Sequence, residues 1–129
     1  MRRSAPPREI PPPLELECLK TLWKIGEASV KDVREDLGVS RALAYTTVMT
    51  LLDRLARKGA AARRKVGRQF LYSAVLQRDV VRRLAVGELV EGLFDGSAAE
   101  LAAFLDGWAG APPATETQPK EDQLDTALL

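Results

Sequence analysis

The sequence predicts a mainly α fold: a helix-turn-helix unit carrying a small β-hairpin wing, followed by C-terminal helices that pair two copies of the chain. Three observations carry this. Two amphipathic segments are separated only by Gly38-Val-Ser-Arg41, the short glycine-bearing turn of a helix-turn-helix. Two extended runs then meet at Gly67-Arg68, a hairpin with glycine first in its turn. Beyond them, a helix over about Gln77 to Phe94 carries apolar side chains over more of its circumference than one packing contact needs, which calls for a second partner surface.

Taken in order, the first helix runs from Leu14 to about Ile25. Leu16, Leu19, Leu22 and Trp23 fall on one face, and Gly26 stops it. Ser29 caps a short second helix whose Val30, Val33 and Leu37 recur at i, i+3 and i+7, ended by Gly38. With Ser40 as its N-cap, a third helix follows to Lys58-Gly59. Ala44, Val48, Leu51, Leu52 and Leu55 share its inner side, while Ala42, Thr46, Met49, Thr50, Asp53 and Arg57 take the opposite one. Ala61–Val66 and Gln69–Ser73 are the hairpin strands, Phe70 and Tyr72 sharing a face and Leu71 taking the other. A fourth helix spans about Gln77 to Phe94 and breaks at Asp95-Gly96. Ser97-Ala-Ala-Glu100 reads as a capping box opening a last helix with Leu101, Phe104, Leu105 and Trp108 at i, i+3, i+4 and i+7.

This ordering divides the 129 residues into four stretches. Residues 1–13, with five of the eight prolines, are expected to form a flexible basic arm. Residues 14–76 form the helix-turn-helix and wing, and 77–110 a helical dimerisation region. Residues 111–129, without usable periodicity, are expected to be a disordered acidic tail.

Composition excludes several kinds of chemistry. The chain has one cysteine, Cys18, and no histidine. An internal disulfide, a His-based metal site and a His general base are therefore impossible. Cys18 lies in an apolar helical segment, where a free cysteine belongs to the core. No glycine-rich phosphate loop or paired cysteines occur, no cofactor is expected, and the chain does not read as an enzyme. No apolar run approaches the ~20 residues that span a bilayer, and the N-terminus lacks the apolar middle of a secretory signal. The cytoplasm is the expected location, without direct membrane binding.

A net charge of +1 hides a division. Residues 1–83 carry 18 Lys and Arg against 9 Asp and Glu, whereas residues 84–129 carry 1 against 9. A basic front and an acidic back point to a polyanion partner for the front alone. Between positions 54 and 68, Arg54, Arg57, Lys58, Arg63, Arg64, Lys65 and Arg68 occur with no acid. Cations clustered at the end of one helix and along a wing are the pattern of phosphate contact with double-stranded DNA. Base contact is expected from Arg41, Ala42, Thr46 and Thr50. Threonine donates or accepts a hydrogen bond and offers its methyl to thymine, and arginine forks onto guanine. Tyr45 and Thr47 flank that face, within reach of the backbone. Leu84, Leu89, Val90, Leu93, Phe94, Leu101, Phe104, Leu105 and Trp108 are the candidate dimerisation residues.

The sequence resembles the penicillinase-repressor (BlaI/MecI) family of bacterial regulators. The resemblance is carried by Leu14-Glu-Leu-Glu-Cys-Leu-Lys-Thr-Leu-Trp23, by Ala44-Tyr-Thr-Thr-Val-Met-Thr-Leu-Leu-Asp-Arg-Leu55 with Arg57-Lys-Gly59, and by Phe94-Asp-Gly-Ser97. It covers residues 14–108, and the second of these segments is the specific one. It implies homodimers that bind a palindromic, inverted-repeat operator through N-terminal winged helices and pair through C-terminal helices. It also implies repression of β-lactam-resistance or envelope-stress genes, relieved when a membrane sensor-protease triggers cleavage. In that family the cleaved bond joins Asn to Phe at the end of the fourth helix; the matching pair here is Leu93–Phe94. The copper-responsive branch uses paired C-terminal cysteines, which this chain lacks. Two rival readings stay open: a winged-helix protein-interaction module, and a regulator that answers to a small molecule instead of proteolysis.

Overall fold

A computed structural model describes residues 9–38 and 40–110. The element order is α1 (Pro13–Ile25), β1 (Ala28–Ser29), α2 (Val30–Leu37), α3 (Tyr45–Arg57), β2 (Ala61–Val66), β3 (Gln69–Ala74), α4 (Arg78–Leu93) and α5 (Ala98–Asp106). The chain divides into two compact units, one up to Leu89 and one from Val90 onward.

In the first unit, α1, α2 and α3 enclose an aliphatic core. Cys18, Leu19 and Leu22 come from α1, Val30, Val33 and Leu37 from α2, and Val48, Leu51, Leu52 and Leu55 from α3; Tyr72 closes it from the sheet. The apolar spacing read from the sequence is the reason these three helices meet. Cys18 is fully buried, and desolvation followed by the charges of Glu15 and Glu17 pushes its thiol up to about 12. Val81, from the first half of α4, joins the same core, so the winged helix and that half-helix pack as one unit. At the other end, Ile10 packs on the core and Pro11 is buried. Composition assigned both to the arm, yet they belong to the packed fold, and Pro13 occupies the first turn of α1, where its missing N–H is harmless. Residues 1–8, the rest of that arm, and the tail 111–129 lie outside the described residues.

The sheet has three strands in the order β1-β3-β2, all antiparallel. The hairpin forms as expected, with Val66 paired to Gln69 across Gly67-Arg68. Gly67 has φ +64° and Arg68 has none of the positive-φ geometry, the type II′ pattern that matches strand twist. β1 was not foreseen: its two residues, Ala28 and Ser29, pair with Tyr72 and Leu71. A strand this short leaves no alternation to read. Ser29 still caps α2, accepting from the Asp32 N–H at 3.2 Å while the Asp32 carboxylate accepts from the Ser29 N–H at 3.1 Å, a full capping box built with aspartate.

The third helix starts later than the sequence suggested. Ser40 does not cap it: the N–H groups of Ser40 and Arg41 both donate to the Leu37 carbonyl and close the end of α2 instead. Residues 41–44 are non-helical, with Ala44 as an exposed N-cap rather than an inner-face residue. Arg34 Nε donates to the Leu43 carbonyl at 3.1 Å and fixes this connection.

In the second unit the serine half of the expected box forms, Ser97 Oγ accepting from the Glu100 N–H at 3.1 Å. Phe94 and Phe104 set their rings 5.6 Å apart in a tilted pair, a favoured aromatic geometry. Asp95 (φ 51°) and Gly96 (φ 81°) make the break between α4 and α5. No helix among the described residues is long and apolar enough to cross a membrane.

Candidate nucleic-acid interface

One side of α3 is locked by burial, which fixes where the other side points. Val48, Leu52 and Leu55 are fully buried, and Leu51 nearly so. Thr46, Thr47, Met49, Thr50, Arg54 and Arg57 are consequently exposed, as is Tyr45 at 47%. The hydroxyl face that the sequence placed outward is outward. The helix entry is open as well: Ala44 offers no side-chain cap and the first turn carries no acid. Uncapped N–H groups at a helix start leave partial positive charge there. Arg41 and Ala42, expected on the helix, lie in the exposed connection before it. The correction follows from the end of α2, which consumes the N–H groups of positions 40 and 41.

The wing divides its cations between two faces. Side chains alternate along a strand, so Arg63 and Lys65 share a face with their partners Tyr72 and Phe70, while Arg64 takes the other opposite Leu71. Arg63 and Arg64 were read as one cluster; the pleat separates them. Arg63 lays its guanidinium over the Phe70 ring at 4.2 Å, a cation–π contact. Between α3 and the hairpin lies a groove of about 400 Å³ lined by Thr50, Asp53, Arg54, Arg57, Arg63 and Phe70, among others.

Four of the seven cations are already paired. Arg57 and Arg63 both reach Asp53, at 2.7 and 3.1 Å. Arg64 forks onto Glu27 with contacts of 2.7 and 2.8 Å. That hydrogen bonding and charge hold the Glu27 carboxyl below its ordinary range and raise the Arg64 guanidinium above its own. Lys58 reaches Glu15 at 2.6 Å. Arg54, Lys65 and Arg68 make no ion pair among the described residues. The acids that hold these cations lie outside the acid-free window 54–68, which is why counting within it missed them. The spacing of Asp53 and Arg57, i and i+4 on a helix, was the one available signal. No group of acids or Cys able to hold a metal ion occurs among the described residues.

The nine apolar residues assigned to pairing differ in their surroundings. Leu89, Leu93, Phe104, Leu105 and Trp108 are exposed, Leu93 at 76%. Leu84 and Phe94 are half-buried. Val90 and Leu101 are buried within the single chain, so they serve as core rather than as free surface.

With this geometry in hand, the chain can be set beside known proteins. A family model described as "Penicillinase repressor" matches residues 12–109. A Mycobacterium tuberculosis protein named "Transcriptional regulator BlaI" is 38% identical over 96 residues, covering 72% of this chain and 70% of that one. The "Penicillinase repressor" of Bacillus licheniformis is 36% identical over 59 residues, 46% of each chain. Among solved structures, the solution structure of the DNA-binding domain of the repressor BlaI superposes with a TM-score of 0.52 at 28% identity, over 59% of this chain and 93% of that domain.

Proposed function

The chain belongs to the penicillinase-repressor family, and from that premise we propose how this DNA-binding transcriptional repressor engages its operator. α3 enters the major groove, the wing lies along the adjacent backbone, and two copies of the chain bind an inverted repeat. The observation that carries the reading is the outward Thr46–Thr50 face, fixed by the burial of Val48 and Leu52 on the reverse side. Short hydroxyl side chains reach base edges without holding the helix out of the groove, and each well-placed contact discriminates by ~1–3 kcal/mol.

Phosphate contact falls first to Arg54, Lys65 and Arg68, which carry no internal partner among the described residues. Tyr45, Thr47 and the uncapped start of α3 take a phosphate at the helix entry, with Arg41 beside them in the connection. Arg57, Lys58, Arg63 and Arg64 contribute as their carboxylate partners allow. In a two-fold dimer the half-sites stand about one helical turn (~10 bp) or a multiple apart. The genes under control are those of β-lactam resistance or envelope stress, by kinship with the family. Release by a sensor-protease would act at Leu93–Phe94, at the C-terminal end of α4.

The test is a gel shift of the full chain on mixed genomic fragments, followed by sequencing of the retained DNA. An inverted repeat should emerge, and Thr50→Ala should relax base choice within each half-site. A chain that retains no duplex at low salt overturns the reading.

A further inference from the structure

Asp53 is the only acid on α3, and it is held between two arginines. Its Oδ2 contacts Arg57 Nη2 at 2.7 Å, and its Oδ1 accepts from Arg63 Nη1 at 3.1 Å. Arg63 is held from a second side by the Phe70 ring, and the trio lines the groove between α3 and the hairpin. Two anionic oxygens, each taken by a guanidinium, are what a backbone phosphodiester presents to a pair of arginines.

Building on the DNA-facing reading of this surface, we infer that Asp53 is an internal phosphate surrogate that sets specificity by occupying Arg57 and Arg63 until a correctly seated duplex displaces it. A duplex resting loosely on the surface gains attraction from Arg54, Lys65 and Arg68 but meets Arg57 and Arg63 already neutralised. Only a duplex drawn in by contacts at Thr46 and Thr50 brings a phosphate close enough to exchange with the carboxylate. The surrogate thus subtracts more from non-specific than from specific binding. A plain brace between α3 and β2 would use the same ion pairs but has the opposite consequence, because removing a brace weakens every complex.

The sign of the effect decides between them. The probe is a labelled 30-bp duplex of random sequence, titrated with the full chain by anisotropy from about 50 to about 200 mM KCl. Each phosphate contact adds ~0.9 to the slope of log affinity against log salt. Asp53→Asn is expected to tighten random-duplex binding at low salt and to lose about tenfold more affinity than the parent across that range, with both arginines released. Asp53→Glu keeps the charge and should keep the parental slope. Should Asp53→Asn fail to fold by circular dichroism, the triple variant Asp53→Asn, Arg57→Gln, Arg63→Gln carries the test: its random-duplex slope should equal that of the parent. Unchanged or weaker binding by Asp53→Asn, or a triple variant whose slope falls by about two phosphate contacts, overturns the inference. A parent chain that binds no duplex overturns the DNA-facing reading itself, a separate and distinguishable failure.

Discussion

Lys58 Nζ reaches Glu15 Oε1 at 2.6 Å, joining the end of α3 to the first turn of α1, and the Glu15 side chain is only 5% exposed. A carboxylate that has lost its water needs a partner. Lys58 therefore acts on folding before it acts on anything outside the molecule.

Lys58→Met should lower stability by ~1–3 kcal/mol. Stranding one member of a buried pair costs ~3–5 kcal/mol, and the 42% exposure of the lysine lets water screen part of that. Urea unfolding of the variant, with Glu15→Gln added as a second step, checks the cause. The glutamine should recover much of the loss, since it needs no cation. A Lys58→Met protein as stable as the parent would mean that Glu15 is served by water.

Acid should act through Glu27 and Asp36. Glu27 is held below its ordinary range first by the Arg64 hydrogen bond, and Asp36 first by the Lys24 hydrogen bond, with Thr21 adding a smaller contribution. A carboxyl depressed in the folded state stabilises fully above its unfolded value, near 4, and that contribution disappears as pH falls through the lower folded value. Glu27→Gln with Asp36→Asn should narrow the difference between melting temperatures at pH 7 and pH 3. Identical pH profiles for variant and parent would show that neither ion pair stabilises the fold. Glu27 is exposed and Asp36 half-buried, and the pH window, below about 4, is the same for both.

The core and the hairpin were legible because each depends on a local regularity. Val48, Leu51, Leu52 and Leu55 repeat with the helix period, and Gly67-Arg68 carries its turn in two residues. The outward threonines followed by subtraction, since a helix with one buried face has little choice about the other. What escaped was set by partners distant in sequence. Arg64 looks free until Glu27, 37 positions away, is brought beside it, and Lys58 until Glu15, 43 positions away, is. β1 escaped because a two-residue strand is defined by its pairing with Tyr72 and Leu71 and not by any pattern of its own. The start of α3 was misplaced because Ser40 has the chemistry of a cap, while its N–H was already committed to Leu37.

Gly67→Ala isolates backbone conformation from packing. Nothing lies within 4 Å of the Cβ it would acquire, yet φ is +64°. The strain of an L side chain there should destabilise by ~1–2 kcal/mol, with Gly67→Asn suffering less because asparagine tolerates that region. Since the hairpin carries Arg63, Lys65 and Arg68, a misfolded turn should also weaken duplex binding. Equal stability of Gly67→Ala and the parent in urea would mean that the turn relaxes without penalty.

The exposed apolar residues after the winged helix give the proposed dimer its sharpest test. Leu93 is 76% exposed, Phe104 56%, Trp108 53% and Leu105 48% in the single chain. A monomer gains nothing by leaving four such side chains in water, and apolar clusters of this kind mark surfaces that become covered. Substituting Phe104 or Leu105 by Asp puts a charge where a second copy would exclude water, so the assembly should dissociate while the winged helix, a separate compact unit, keeps its fold. Analytical ultracentrifugation of Leu105→Asp should show a monomer where the parent shows a dimer. Its affinity for a two-half-site duplex should fall towards that for a single half-site, because the second contact is no longer intramolecular. Val90→Ala is the control: Val90 is buried within the chain, so it should lower stability before it changes association. A parent that sediments as a monomer at every concentration where it binds DNA would remove the dimer from the mechanism and leave the winged helix acting alone.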